Sequence, residues 1–137
     1  GSLILGDKAF IKKSRHLRKM LGGGMRQAGI LAAAGIYALD NMVNRISEDH
    51  QNAQELAAAI SDINHIEMDI KKVTTNLIFF HLRDDQLSDQ EFLQELLKYN
   101  IKIDDKGNRR FRMATHSGFS NNDIEKVVKT FKLILTK

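Results

Sequence analysis

The sequence predicts an α+β protein: a helical first part, then a small sheet with helices covering one of its faces. Two observations lead there. Up to about residue 61 the apolar residues recur at helical spacing, with alanine-rich stretches. After Asp62 the pattern changes to short alternating or continuous apolar runs separated by turn residues and two further amphipathic stretches, in the order β-β-α-β-β-α. The natural division is therefore residues 1–61 and 62–137.

Taken in order, Ser2–Leu5 is a short apolar run stopped by Gly6-Asp7 and reads as the end of a buried strand. Nothing beside it in sequence supplies a partner strand, so the chain is expected to begin inside a larger domain. Asp7 can cap a basic helix from about Lys8 to Arg18. Gly22, Gly23 and Gly24 then break the helix, and a second helix is expected from Met25, with Ile30, Ala33, Ala34, Tyr37 and Ala38 on one face. A kink is expected between Asn41 and Asn44. A third helix places Ile46, Ala53, Leu56, Ala57 and Ile60 on one side.

In the second part, His65–Ile70 and Thr75–Leu82 read as strands. Leu77, Phe79 and His81 face one way and Ile78, Phe80 and Leu82 the other, so both faces of that strand are expected to be largely buried. Ser88 with Glu91 forms a capping box ahead of Phe92, Leu93, Leu96 and Leu97. Ile101–Asp104 and Arg110–Thr115 are two further strands joined by a turn at Asp105-Lys106-Gly107-Asn108. Ser120 caps a last helix bearing Ile124, Val127, Val128, Phe131 and Leu135.

Composition narrows the function classes. The chain of 137 residues has no cysteine, which excludes disulfides, thiolate metal sites and a cysteine nucleophile. No apolar run approaches the roughly 20 residues of a membrane span, and the N-terminus lacks signal-peptide features, so no membrane association and a cytoplasmic location are expected. Residues 1–26 carry Lys8, Lys12, Lys13, Arg15, Arg18, Lys19 and Arg26 against one acid, Asp7. Such a segment is either a solvated helix face or an anion site. Phe10 is its only aromatic residue, which argues against single-stranded nucleic acid as the partner.

Three features could carry chemistry. The Gly22–Gly24 loop, flanked by Lys19 and Arg26, reads either as a cradle of backbone N–H groups for an anion or as a plain hinge. Arg110 and Arg112 share one face of a predicted strand, with Arg109 opposite; a guanidinium there offers a two-pronged partner for a carboxylate, or a charged guard on an edge strand. His116 directly follows that strand. The five histidines show no metal-ligand spacing, and Asp84-Asp85 and Asp104-Asp105 read as ordinary turn acids.

The run Arg18-Lys19-Met20-Leu21-Gly22-Gly23-Gly24-Met25-Arg26-Gln27-Ala28-Gly29, with Leu31-Ala32-Ala33-Ala34-Gly35 after it, resembles a signature stretch of the low-specificity threonine aldolases. Gly1-Ser2-Leu3, Glu48-Asp49-His50 with Asn52-Ala53, Thr75-Asn76, and Arg112-Met113-Ala114-Thr115-His116 are similar to further segments of that family, in the same order. The resemblance implies the C-terminal portion of an α/β enzyme of the aspartate-aminotransferase type: the end of a large cofactor-binding domain, then a small C-terminal domain. It implies pyridoxal 5'-phosphate as the cofactor, an electron sink for the carbanion left on the glycine unit. The implied reaction is retro-aldol cleavage of threonine or allo-threonine to glycine and acetaldehyde. It also implies Arg112 as the substrate-carboxylate partner, and Lys19, Gly22, Gly23, Gly24 and Arg26 as an active-site loop. A homodimer or homotetramer is expected. The family's Schiff-base lysine would lie upstream of Gly1, so the chain alone is expected to be inactive. The alternatives are a β-eliminating lyase of the same fold, a phosphate- or nucleic-acid-binding fragment, and a degenerate homologue.

Overall fold

A computed structural model describes residues 3–83 and 87–136. Ser2 and the Asp84-Asp85 pair lie outside the described residues. The chain forms two compact units, residues 1–44 and 45–137.

The first unit holds two helices, α1 (Lys8–Met20) and α2 (Gly29–Asn41). Asp7 caps α1 as expected, its Oδ1 accepting from the Phe10 N–H at 2.8 Å. The far end closes through glycine. Gly22 adopts φ +78°. The Gly22 and Gly23 N–H groups donate to the carbonyls of Lys19 and Arg18 at 3.2 and 2.8 Å. This is a Schellman cap, which needs a left-handed residue after the helix. The sequence predicts the second helix from Met25, but Gln27 takes φ +50°, and α2 starts only at Gly29. Leu3–Leu5 form no strand and are exposed, because no neighbouring strand in this unit offers them a ladder. Neither helix buries a residue.

The expected kink is a 3-10 turn, Val43–Arg45, which leads into α3 (Ile46–Ser61). Arg45 pairs with Asp49 at 3.0 Å and Glu48 at 3.3 Å across the first turn of α3. Four antiparallel strands follow: β1 (Ile66–Glu67), β2 (Leu77–Leu82), β3 (Asp104–Asp105) and β4 (Arg110–Ala114), in the spatial order β1-β2-β4-β3. Helix α4 (Asp89–Lys98) precedes β3, and α5 (Asn121–Leu135) ends the chain. α3, which lies ahead of residue 62, contributes Ala53, Leu56, Ala57 and Ile60 to the same core as the sheet.

The strands are shorter than the apolar runs that predict them. After Glu67, the Asp69 side chain accepts from the Lys71 N–H at 3.1 Å and opens a 3-10 turn, Ile70–Lys72. Before β3, Asn100 takes φ +58° and the Ile101 N–H returns to the Leu96 carbonyl at 3.1 Å, so Ile101 completes the end of α4 rather than starting a strand.

Phe80 of β2 and Phe111 of β4 point to the helix side, where they meet Phe92 of α4 and Phe131 of α5. Ring centroids lie 5.2–5.7 Å apart around this four-membered cluster. All four rings are fully buried. Such contacts contribute about 0.5–1.5 kcal/mol per pair beyond area burial. The helices lie on one face only. Both faces of β2 are predicted to be buried, but only Ile78, Phe80 and Leu82 are, and Phe79 on the other face is 39% exposed.

The end of β4 is pinned by polar groups from three elements. Thr115, fully buried, donates its hydroxyl to the Asp49 carbonyl of α3. The Asn76 side chain donates to the Thr115 carbonyl at 2.7 Å, and the Thr115 N–H donates to the Asn76 carbonyl at 3.0 Å. Asn52 of α3 donates to the Phe119 carbonyl at 3.1 Å. A buried hydroxyl must find a partner, and this one joins α3 to the strand that carries Arg112.

Two stability predictions follow from these contacts. Thr115→Val keeps the shape and removes the hydroxyl donor; urea unfolding should show a loss of about 1 kcal/mol, and an unchanged midpoint would refute the pinning role. The second concerns the helix caps. The Glu91 carboxylate accepts from the Ser88 N–H and hydroxyl at 2.9 and 2.7 Å, and Asp123 accepts from the Ser120 N–H and hydroxyl at 2.9 and 2.7 Å. Backbone and hydroxyl donation from Ser88 holds Glu91 below the ordinary glutamate range, and hydroxyl and backbone donation from Ser120 does the same for Asp123. A carboxylate whose pKa is lowered on folding stabilises the fold above its unfolded pKa, and that contribution is lost as the pH falls through the folded value. Unfolding midpoints should therefore drop on acidification below the ordinary carboxylate range, and Glu91→Gln with Asp123→Asn should flatten that dependence.

Candidate functional site

The helix-free face of the sheet carries the candidate site. Alternation along β4 sends Phe111 and Met113 into the core and Arg110 and Arg112 to the open face. Arg112 stands opposite Phe79 on β2 and opposite Asp104 on β3. Its Nη2 donates to Asp104 Oδ2. Lys106 Nζ approaches the same oxygen at 3.4 Å. The Arg112 guanidinium, and after it Lys106, holds the Asp104 carboxyl below the usual aspartate range. Arg110 lies over the Phe79 ring, 4.8 Å from its centroid.

Arg109 behaves differently from its neighbours, as the alternation predicts. It sits in the β3–β4 turn at φ +60°, next to Asn108 at φ +53°. Its N–H and Nη1 reach Asp89 at 3.2 and 3.1 Å, and Nη1 also reaches the Leu87 carbonyl at 2.6 Å. This clamp ties the turn to the start of α4, offsets the left-handed backbone and makes Arg109 structural.

Arg112 keeps unused donors. A guanidinium has five N–H groups. Among the described residues only one contact, through Nη2, engages it, and its side chain is 37% exposed. The arrangement can take a carboxylate from the open side while Asp104 stays in place.

His116 lies elsewhere. With Met113, Ala114, Phe119, Asp123 and Lys126 it lines a cleft of about 280 Å³, to which Arg112 does not contribute. Its Nδ1 lies 2.8 Å from the Ser117 carbonyl. No group of His, Asp or Glu among the described residues is arranged to hold a metal ion.

Lys19, Gly22, Gly23, Gly24 and Arg26 belong to the first unit and are exposed. The N–H groups of Gly22 and Gly23 are spent on capping α1, so the loop is not a free cradle of backbone donors. A Cβ on Gly23 would meet the Arg18 carbonyl oxygen at 3.1 Å, and Gly22 has a left-handed φ. These two glycines are required by the helix end.

Sequence reasoning missed Asp104, which reads as a turn acid. The signal lay in the hairpin count: a turn centred on Lys106–Arg109 sets Asp105 against Phe111 and Asp104 against Arg112. Phe79 was placed on the correct face, but its role as the floor beneath Arg110 needed the cross-strand register.

The chain is 36% identical over 135 residues to a probable low-specificity L-threonine aldolase 2 of Arabidopsis thaliana, across 98% of this chain and 38% of that protein. It is 36% identical over 138 residues to a low specificity L-threonine aldolase of Escherichia coli K12, across 100% of this chain and 39% of that protein. A low specificity L-threonine aldolase of Saccharomyces cerevisiae is 30% identical over 128 residues, 93% of this chain and 31% of that protein. The chain thus spans about two fifths of the length of the first two relatives. Residues 1–84, more than half of the chain, fit the profile of the beta-eliminating lyase family, and the chain is a member of that family.

Proposed function

We propose that this chain supplies the substrate-carboxylate side of an aldolase acting on β-hydroxy-α-amino acids, the whole protein cleaving threonine or allo-threonine to glycine and acetaldehyde. The observation that carries this reading is Arg112: a half-buried guanidinium on an open sheet face, backed by Asp104 and with donors to spare. Similarity to threonine aldolases over nearly the whole chain supports it.

Arg112 binds the α-carboxylate through paired N–H donors, which fixes the substrate about its Cα and sets the direction of the Cα–Cβ bond that breaks. As that bond cleaves, the β-hydroxyl gives its proton to a base, the aldehyde departs, and the electron pair left at Cα takes up a proton to give glycine. Pyridoxal 5'-phosphate, assigned to the whole protein, supplies the sink for that pair. The cofactor's anchor is assigned to the part of the protein outside this chain, and residues 1–137 alone are expected to be inactive.

Lys19 and Arg26 line the active-site region of the assembled protein, with the capped end of α1 fixing the turn from which Lys19 projects. Self-association to a dimer or tetramer is part of this reading. Its support is α2, whose Ile30, Leu31, Ile36, Tyr37 and Leu39 are all exposed within this chain. No helix among the described residues is long and apolar enough to cross a membrane, in keeping with a cytoplasmic enzyme. A second reading, β-elimination, is favoured by the family itself. It would release an α-keto acid and ammonia in place of glycine and aldehyde.

The test is to assay the full-length protein, supplied with cofactor, for acetaldehyde and glycine from L-threonine and L-allo-threonine. Both products are expected; an α-keto acid with ammonia would support elimination, and no product with no cofactor absorbance band would end both readings. Arg112→Ala should raise KM at least about tenfold, as expected for losing a charge-paired contact, and leave the cofactor band in place. Unchanged turnover at low substrate would remove Arg112 from the site.

A further inference from the structure

Three groups on the open sheet face form a chain of opposite charges: Arg112 on β4, Asp104 opposite it on β3, and Lys106 in the turn that follows β3. We propose that Asp104, paired with Lys106 as well, is the positioning residue that presents the Arg112 guanidinium to a substrate carboxylate. The inference rests on the aldolase reading above.

The geometry gives each member a distinct part. Asp104 and Arg112 face each other in register across one ladder, so their backbones are fixed relative to each other. Asp104 takes only Nη2, which leaves one hydrogen on that nitrogen, the Nε hydrogen and both Nη1 hydrogens without a contact among the described residues. A second carboxylate can then be bound by a two-pronged contact without displacing the first. Lys106 reaches the same Asp104 oxygen at 3.4 Å, a second cation that keeps this carboxylate ionised and in place. The Lys106 N–H is itself tied to the Arg110 carbonyl at 2.8 Å, and the Gly107 N–H donates to Asp105 at 2.7 Å, so the turn that carries Lys106 is well defined. Phe79, opposite Arg112 on β2, is engaged by Arg110. Among the described residues, then, Asp104 is the group that orients this guanidinium by hydrogen bonding. A long side chain without such a partner samples several rotamers, and binding must overcome that freedom.

The experiment uses the full-length, cofactor-loaded protein. KM and kcat for threonine, and the calorimetric Kd for glycine, are measured for the wild type, Asp104→Asn, Asp104→Glu, Arg112→Ala and the Asp104→Asn/Arg112→Ala double variant. Asp104→Asn should raise KM and the glycine Kd about fivefold, with kcat within about twofold, and Asp104→Glu should recover part of the loss. In the Arg112→Ala background, Asp104→Asn should leave the glycine Kd unchanged, because the effect passes through Arg112. Unchanged or tighter glycine binding in Asp104→Asn would overturn the proposal, the tighter case making Asp104 a competitor of the substrate. An equal weakening in both backgrounds would also overturn it, by making Asp104 a fold contact. A wild type that releases no aldehyde would defeat the aldolase reading and this inference with it. An active wild type with unaltered Asp104→Asn binding would defeat this inference alone.

Discussion

The second unit is organised by a constraint that acts along β4, where neighbouring residues must face opposite sides of the sheet. Phe111 and Met113 enter the helix-covered core, so Arg110 and Arg112 have no choice but the open face. The Phe80, Phe111, Phe92 and Phe131 cluster holds that choice in place, because it joins two strands to two helices through rings with no polar atom to compensate. A one-residue slip between β2 and β4 would bury two guanidinium groups and expose two large apolar side chains. Burying unpaired charge is far more costly than losing a packing contact. Register and site are therefore specified by the same alternation: the packing that stabilises the sheet is what aims Arg112.

The polar contacts around Thr115 fix the position along the strand. Three of the segments that carry the resemblance to the aldolases outside the glycine loop are Glu48–His50 with Asn52, Thr75-Asn76, and Arg112–His116. Far apart in sequence, they converge through the Thr115 hydroxyl, the Asn76 amide and the Asn52 amide. Thr115, Asn76 and Asn52 spend side-chain donors on backbone carbonyls of the chain rather than offering them to a ligand. Their role is to hold the end of β4 against α3. Arg112 lies three residues before Thr115, and a strand pinned at one end and paired on both sides presents its side chains with little freedom.

What the sequence made legible was set by how local the physics is. The capping box at Ser88, the caps at Ser120 and Asp7 and the last helix follow from contacts within four residues, and the structure has them. The turn predicted at Asp105–Asn108 was equally local in its signal, yet the structure places it one residue later, with Asp105 paired to Phe111 in β3. Strand lengths were not legible, because an apolar run does not show where a ladder stops: Asp69 and Asn100 end the runs by turning the chain. The Gly22–Gly24 segment shows the same limit in another form. Glycine's freedom at positive φ suits an anion cradle and a helix cap alike, and only the Gly23-to-Arg18 hydrogen bond separates them. One-sided burial of β2 was hidden too. Leu77 and Phe79 are apolar, and nothing local says that no helix will cover them.

The two units differ in what stabilises them, and that difference bears on how such a chain works. The second unit encloses a contiguous core drawn from α3, α4, α5 and the sheet. The first has good local order, with a capped start and a glycine-closed end to α1, yet none of its helical residues is buried. Caps and hydrogen bonds contribute on the order of 1 kcal/mol each, too little to order two isolated 13-residue helices in water. α2 is apolar on every side, the composition of a helix enclosed by other elements. Its stability must come from surface that the first unit does not itself supply. The open face of the sheet, by contrast, is assembled from groups within the second unit. Arg112, Asp104 and Lys106 are positioned by one hairpin and one core, so their arrangement is set within the second unit.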